Sequence, residues 1–219
     1  FAFNLEVARA AWASQEPLVC QMRLQYWRDV IEATFAGTAV PNHPVATPFS
    51  RVIKWGGLNK DILLDMIDAR YWDIGYDPFN DTAELLTYLE HTTGVVTEMA
   101  ARLCGVPDHH YDVIRSYGTA IGLANFLLAV PQLKARGRQP LPDESPAALA
   151  RLAQDGLDMQ AQVAVAKPIL AGPALRTGWD STRVLKRVVR QPERVLEGRL
   201  QTSPFRRNLS MLLIGLLGR

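Results

Sequence analysis

Apolar residues recur at intervals of three and four through most of this 219-residue chain. That spacing places them along one face of an α-helix, because a helix completes a turn every 3.6 residues or so. Alternation of apolar and polar residues, the pattern of a half-buried β-strand, is never sustained. The chain is therefore predicted to fold as an all-α domain of about seven or eight helices, each roughly 10 to 20 residues long.

Segments rich in glycine and proline separate the predicted helices, and several helices start after residues suited to capping. Asp81 precedes Thr82 and Glu84, Ser145 precedes Pro146, and Asp180 with Ser181 precedes the last stripe. The helical stripes run through Leu5–Trp12, Val19–Phe35, Lys60–Trp72, Glu84–Cys104, Tyr111–Val130, Ala147–Ala166 and Thr182–Leu196. Since 48% of the residues are apolar, one core is expected. We expect residues 1–219 to form a single domain, with a further helix before Phe1.

Positive charge is concentrated at the C-terminal end, where we expect a basic helical segment of the same domain over residues 174–219. This segment holds ten basic residues and three acidic ones, whereas the net charge of the whole chain is only +2. Such a segment suits an anionic membrane surface or an acidic partner. A solvated face, followed by an apolar end at Leu209–Leu217 that packs on its own bundle, is the alternative. The arginines of the predicted membrane or partner face are Arg183, Arg187, Arg190 and Arg194.

Several classes of protein are excluded by what the sequence lacks. The two cysteines, Cys20 and Cys104, are far apart and have no paired spacing, which excludes a disulfide framework and the usual zinc motifs. The longest unbroken apolar runs are far shorter than the roughly 20 residues of a membrane-spanning helix. No stacking platform accompanies the basic segment, so nucleic acid is not an expected partner.

Carboxylates are the next candidates for chemistry, because a helical protein that handles diphosphates holds magnesium with paired acids that face one cavity. Asp65, Asp68 and Asp73 lie close together in the sequence. Local salt bridges on a solvated face are the first explanation for these aspartates, and a place in a pocket is the second. Asp73 is the best candidate among them for a place in a pocket.

Five short segments occur in an order that is specific in combination, although no single segment is. They are Met22–Asp29, Asp65–Asp73, Glu84–Tyr88 with Gly94–Val96, Gly122–Leu127, and Lys134–Arg138 with Leu141 and Pro142. This series resembles the squalene/phytoene synthase family over roughly Phe1–Pro142. The resemblance implies an isoprenoid-synthase-like helical bundle around a central apolar cavity. Tyr26, Asp73 and Asn125 are expected to line that cavity or contact its ligand.

The departures from the family pattern concern its two aspartate-rich motifs, which bind magnesium in active members. The resemblance places Leu5 and Arg9 at the acidic positions of the first motif, and Ala129 and Leu133 at those of the second. A diphosphate is costly to bury without magnesium or several arginines. We therefore expect no catalytic residue, no metal ligand and no cofactor. Magnesium would be required only if the chain were an active transferase.

Within the family, the segments Phe1–Ala8 and Met22–Arg28 are similar to a branch that serves as an assembly factor for respiratory complex I, the NADH dehydrogenase. The resemblance implies a catalytically silent protein whose partners are complex I subunits or assembly intermediates. An anionic membrane surface and an isoprenoid or lipid are further expected partners. Two alternatives stay open, a transferase that condenses prenyl diphosphates and an isoprenoid or lipid carrier. The expected location is the cytoplasmic face of the inner membrane in a bacterium, or the matrix face of the mitochondrial inner membrane in a eukaryote.

Overall fold

The computed structural model describes residues 1–166 and 172–201, and all regular structure within these ranges is helical. The all-α prediction is thus confirmed. The predicted apolar end Leu209–Leu217 lies outside the described residues. The α-helices are α1 (Ala2–Ala10), α2 (Pro17–Ala36), α3 (Ala46–Gly56), α4 (Lys60–Asp68), α5 (Thr82–Leu89), α6 (Val95–Leu103), α7 (Tyr111–Ala135), α8 (Pro146–Ala166), α9 (Gly172–Leu175) and α10 (Ser181–Arg190).

The ends of the helices follow from local chemistry. The Asp81 carboxylate accepts a 2.8 Å hydrogen bond from the backbone N–H of Glu84 at the start of α5. The Ser145 hydroxyl accepts one of 3.3 Å from the N–H of Ala148 at the start of α8. Helix α2 ends at Ala36, and Gly37 follows with a φ of 73°, a left-handed conformation that glycine adopts without strain. The caps predicted at Asp81 and Ser145 are confirmed. The cap predicted at Asp180 is wrong, because Asp180 has a helical backbone conformation and its side chain makes no capping hydrogen bond at the start of α10.

Helix α3 was not anticipated, since the predicted stripes leave residues 36–59 without a helix. Its first turn is capped by His43, whose Nδ1 accepts hydrogen bonds from the backbone N–H groups of Val45 (3.1 Å) and Ala46 (3.3 Å). Pro48 lies in the first turn of α3, where a missing N–H is tolerated because it has no partner within the helix. A histidine cap is not a standard helix-start signal, so the helix was overlooked.

Helix α10 ends at Arg190, six residues before the predicted end at Leu196. Gln191 adopts φ −147° and ψ 68°, outside the helical region. It precedes Pro192, and the proline ring disfavours a helical conformation in the residue before it. A short 3₁₀ turn, Pro192–Arg194, follows.

Helices α5 and α6 are joined by the π-helical turn Glu90–Gly94 and pack closely against α7. Two glycines make this approach feasible. A Cβ atom on Gly118 would lie 2.7 Å from the Cβ of Thr97 and 2.9 Å from the Cα of Gly94, well inside van der Waals contact. The two helical segments therefore meet backbone to backbone, and this contact fixes the position of α5 beside the candidate site.

The buried apolar residues form two main clusters. One is built by α1 to α4 and contains Leu24, Ile31 and Leu63. The other is built mainly by α5, α7, α8 and α10, around Leu123 and Leu127 of α7. Asp108–Ala135, which includes α7, is long and apolar enough to cross a membrane, but 61% of its most apolar window is buried inside the protein. That degree of burial is also found in the central helix of a bundle, so length and composition alone are weak support for a membrane span.

Candidate functional site

A buried polar cluster lies where the 3₁₀ turn Ala69–Asp73, which follows α4, meets α1 and α5. Its centre is the carboxylate of Asp73, a residue that is only 7% exposed. The Tyr88 hydroxyl donates a 2.9 Å hydrogen bond to Oδ1 of Asp73, and Nη1 of Arg70 lies 3.2 Å from Oδ2. Both carboxylate oxygens thus have a partner within the fold. Of the three neighbouring aspartates, Asp73 is the one placed in a pocket.

Arg70 connects this cluster to α1. Its Nη1 also donates to the Tyr88 hydroxyl at 3.3 Å, and its Nη2 donates to Oδ1 of Asn4 at 3.4 Å. Its Nε and the indole Nε1 of Trp72 are buried and have no hydrogen-bond partner among residues 1–166 and 172–201. Arg70 therefore bridges three segments that are distant in the sequence, while two buried donors beside Asp73 remain unsatisfied.

Arg138 closes the cluster from the loop after α7. Arg138 is 4% exposed, and its guanidinium donates hydrogen bonds to the backbone carbonyls of Trp72, Asp73 (3.4 Å) and Gly75. The guanidinium carbon lies 4.2 Å from the ring centroid of Trp72, which is a cation–π contact. Through these three hydrogen bonds, Arg138 holds the backbone on both sides of Asp73 in place.

The electrostatics of the cluster are dominated by burial. Burial raises the pKa of the Asp73 carboxyl, while the charge of Arg70 and the hydrogen bond from Tyr88 lower it in part. Burial also raises the pKa of Tyr88, with a further contribution from the negative charge of Asp73. Tyr88 therefore stays protonated at neutral pH and acts as a hydrogen-bond donor.

Beside the cluster is an open cleft of about 800 Å³ between the α1–α2 turn and the loop after α7. Trp12, Tyr76, Asp73, Arg136 and Arg138 contribute to its walls. The guanidinium carbon of Arg136 lies 4.8 Å from the ring centroid of Trp12. The cleft is thus polar and aromatic, and its chemistry is that of hydrogen bonding and charge.

The four positions that the resemblance assigns to the acidic motifs carry side chains that do not suit magnesium. Leu5 and Arg9 are exposed on α1, whereas Ala129 and Leu133 are half-buried on the last turns of α7. Hydrocarbon and guanidinium groups supply no oxygen ligand, and magnesium requires oxygen ligands. No group of three or more His, Cys, Asp or Glu side chains within residues 1–166 and 172–201 is arranged to hold a metal ion. The family's magnesium therefore does not fit these residues, and no chemical step is assigned to it.

The three expected ligand contacts lie in three different pockets. Tyr26 lines a groove between α1 and α2, Asp73 lies in the buried cluster beside the polar cleft, and Asn125 lines a small pocket next to Trp179 and Asp180. Asn125 is exposed on α7. Among the pockets formed by the described residues, none contains all three.

A basic surface runs along α10. Arg183 and Arg190 are exposed there, and Arg187 is half-buried because its Nη1 donates to the backbone carbonyl of Leu200 at 2.7 Å. Arg194 is half-buried in the following turn. Lys186 is also exposed, and it lines one pocket along α10 together with Arg183, Arg187 and Arg190.

An apolar cavity of about 440 Å³ lies on the other side of α1, and its lining is contributed largely by α1, α3 and α6. Phe3, Phe49 and Met99 are among its walls, and Asn4 reaches it from the polar cluster. Its size lies within the range of pockets that bind small molecules.

The sequence alone singled out Asp73 but not the residues that surround it. Arg70 and Tyr88 lie within the family-like segments, as does Arg138, yet nothing in their spacing indicates that they meet. The contact between Arg70 and Asn4 spans 66 residues. Only the packing of α1, α5 and the loop after α7 around the 3₁₀ turn brings these groups together.

Comparison with known proteins gives a consistent result. The family model described as squalene/phytoene synthase matches residues 1–171. A rat protein named NADH dehydrogenase (ubiquinone) complex I, assembly factor 6 is 32% identical over 142 residues. That match covers 64% of this chain and 42% of the rat protein, so the chain spans less than half of that relative. The human protein of the same name is 28% identical over 142 residues, with the same shares covered.

The Drosophila melanogaster homolog of assembly factor 6 is 31% identical over 147 residues, 64% of this chain and 43% of that protein. Among solved structures, squalene synthase HpnC from Alicyclobacillus acidocaldarius matches with a TM-score of 0.50 at 19% identity. The match covers 91% of this chain and 74% of the HpnC chain. At this level of identity the likeness is one of fold.

Proposed function

This chain belongs to the squalene/phytoene synthase family, and from that premise we propose that it acts in the assembly of respiratory complex I without synthase chemistry. The observation that carries the proposal is the match to relatives named complex I assembly factor 6, which extends over 64% of the chain. Its partners would be complex I subunits or assembly intermediates.

The side chains at the four motif positions support a role without catalysis. Leu5, Arg9, Ala129 and Leu133 supply no carboxylate, so a bound diphosphate would lack the magnesium ions that neutralise the leaving group. We propose that the protein functions without a metal or other cofactor. A transferase that condenses prenyl diphosphates would need another way to stabilise the developing charge.

An activity assay tests this part of the proposal. The full-length protein is incubated with labelled farnesyl or geranylgeranyl diphosphate and magnesium, alongside a heat-inactivated sample and an active synthase of the family. We expect no diphosphate release above the inactivated sample, although the protein is shown to be folded by its helical circular dichroism. Turnover above that background would favour the transferase.

Co-purification tests the role in assembly. The tagged full-length protein is expressed in its own host, extracted in mild detergent and captured, and the recovered subunits are identified by mass spectrometry. We expect subunits of NADH dehydrogenase, enriched relative to a tagged control protein of similar abundance. Deletion of the gene should also lower the amount of assembled complex I on native gels. Recovery of no such subunit, together with normal complex I after deletion, would contradict the proposal.

We further propose that the protein works at the membrane surface, with the α10 basic surface toward anionic lipid. Four cations of one short region, Arg183, Lys186, Arg187 and Arg190, line a single pocket there. The expected site is the inner membrane, on its cytoplasmic face in a bacterium or its matrix face in a mitochondrion. Such binding would be electrostatic and would weaken as salt rises.

Vesicle sedimentation tests this placement. We expect the wild-type protein to sediment with vesicles containing phosphatidylglycerol and to be released by high salt. Lys186→Glu with Arg190→Glu should abolish sedimentation, whereas Lys54→Glu with Arg151→Glu, a matched reversal of exposed charges on α3 and α8, should leave most of it. Equal losses in both variants would argue against a role of the α10 surface.

A role as an isoprenoid or lipid carrier is a second candidate, favoured by the apolar cavity between α1, α3 and α6. Native mass spectrometry of the protein purified from its host would reveal a bound lipid. Val52→Trp, which adds a bulky side chain to the cavity wall, should then reduce the bound fraction. A protein whose mass corresponds to the chain alone would contradict a carrier.

A further inference from the structure

The groove between α1 and α2 exposes an unusual concentration of large apolar side chains. Trp12 is 43% exposed, Val19 40% and Met22 64%, and all three line the groove. Large apolar groups scattered singly on a surface are ordinary, but a contiguous set is typical of an interaction site.

The groove has a concave shape and a firm base. It has a volume of about 800 Å³, and its floor includes Ala10 and Trp27, both of which are buried. Trp27 is fixed by edge-to-face contact with Phe3, at 5.5 Å between ring centroids. The apolar walls are thus mounted on two helices whose packing does not depend on the groove being filled.

Positive charge flanks the apolar walls. Arg9 of α1 and Arg23 of α2 both line the groove and are exposed. Across residues 1–166 and 172–201, no carboxylate lies within ion-pair distance of either guanidinium. Glu6 is the acidic residue of the groove lining, so the two arginines leave a surplus of positive charge.

We propose that this surface, the α1–α2 face formed by Arg9, Trp12, Val19, Met22, Arg23 and Tyr26, binds an amphipathic helix of a protein partner. The apolar side of that helix would fill the groove, and acidic residues on its flanks would pair with Arg9 and Arg23. This inference rests on the proposed function, because the partner would be a component of complex I assembly.

The composition of the α1–α2 face supports a protein helix as its occupant. Tryptophan, tyrosine and arginine are the residues that contribute most at protein interfaces, and methionine adapts to the shape of a partner. Helix recognition in an apolar groove uses anchors spaced three or four residues apart, which a groove between two helices accommodates. These apolar groups line one concavity, and the two arginines beside them suit the acidic flanks of an amphipathic helix.

The charge-reversed protein Arg9→Glu with Arg23→Glu provides the first test, in the co-purification experiment with full-length protein. We expect recovery of NADH dehydrogenase subunits to fall by about tenfold or more relative to wild type. Lys54→Glu with Arg151→Glu, which reverses two exposed charges elsewhere, should leave recovery near the wild-type level. Because the substituted residues are exposed, unchanged circular dichroism and thermal midpoint would show that the variants are folded.

A photo-crosslinking amino acid at Met22, compared with one at the exposed Gln154 of α8, provides the second test. We expect Met22 to crosslink to a helical segment of an NADH dehydrogenase subunit and Gln154 not to do so. A crosslink from Met22 to the same chain, to a second copy or to lipid would overturn the inference, as would equal recovery of subunits by wild type and the charge-reversed protein.

The two proposals fail in different ways. If wild type recovers the subunits and the charge-reversed protein recovers them equally, the α1–α2 face is not the interface although the role in assembly stands. If wild type recovers no subunits, the proposed role in assembly is contradicted, and the proposed helix partner of the α1–α2 face is contradicted as well.

Discussion

Tyr88, in the last turn of α5, donates a 2.9 Å hydrogen bond to Oδ1 of Asp73, fifteen residues earlier in the chain. The second oxygen of the same carboxylate faces Arg70, which also reaches Asn4 of α1. The Asp73 carboxylate thus links the 3₁₀ turn after α4 to α5 through Tyr88, and to α1 through Arg70. Both oxygens of the carboxylate are therefore held by donors of the fold itself.

Replacing Asp73 with alanine should destabilise the fold. The change leaves the buried guanidinium of Arg70 without its counter-charge, which costs about 3 to 5 kcal/mol of unfolding free energy. The matched control is Asp68→Ala, which removes the exposed partner of Arg28 and should cost less than about 1 kcal/mol. Urea unfolding followed by circular dichroism measures both. Similar losses for the two variants would contradict the assignment of a buried, interacting carboxylate.

The stability contributed by Asp73 should depend on pH. Burial raises its pKa in the folded protein, so the folded state binds more protons at this site than the unfolded state does, over a window that begins near the ordinary value of about 3.9. The contribution is complete below that value and is lost as the pH rises through the folded pKa. Wild type should therefore lose unfolding free energy relative to Asp73→Asn, which cannot titrate, as the pH rises.

Urea titrations of wild type and Asp73→Asn at a series of pH values would measure this difference. The direction in which this difference in unfolding free energy changes with pH shows whether the pKa of Asp73 is raised or lowered in the folded protein. If wild type instead gains stability relative to Asp73→Asn with rising pH, then Arg70 and Tyr88 outweigh burial and hold the pKa of Asp73 below its ordinary value.

Gly118→Ala should weaken the contact between α7 and the π-helical turn. The new Cβ would overlap the Thr97 side chain and the backbone at Gly94, at a cost of about 1 to 3 kcal/mol, even though alanine favours helix formation. A Cβ at Gly172 meets nothing within 4 Å, so Gly172→Ala should change stability by less than about 0.5 kcal/mol. Thermal unfolding would rank the two, and a neutral Gly118→Ala would show that the helices can separate without loss.

Arg138→Gln should loosen the turn after Asp73. The substitution removes the charged group that donates hydrogen bonds to three backbone carbonyls. We expect it to lower the free energy of unfolding by about 2 to 4 kcal/mol. Arg136→Gln, two residues away and exposed, loses the contact with Trp12 and should cost less than about 1 kcal/mol. Hydrogen exchange of residues 72–76 gives an independent readout, since those amides should exchange faster in Arg138→Gln alone. Unchanged exchange would show that the turn does not depend on Arg138.

Much of the helical architecture was predictable, because helix formation is encoded by residues three and four apart. The stripe through Val19–Phe35 corresponds to α2 at Pro17–Ala36, and the caps at Asp81 and Ser145 are where the local sequence indicates. The resemblance to the squalene/phytoene synthase family is likewise confirmed by the family model and by the fold. Helix α3 was missed because its cap is a histidine side chain.

The sequence by itself determined that this protein is helical and that it resembles the squalene/phytoene synthase family, since both depend on residue identity and local spacing. Only the tertiary structure decided which groups meet. It buried Asp73 among Arg70, Tyr88 and Asn4, and it turned Arg9 and Trp12 outward beside Met22. The physical reason is that a helix's own periodicity specifies its faces, whereas the packing of other helices decides which face is covered and which remains open to a partner.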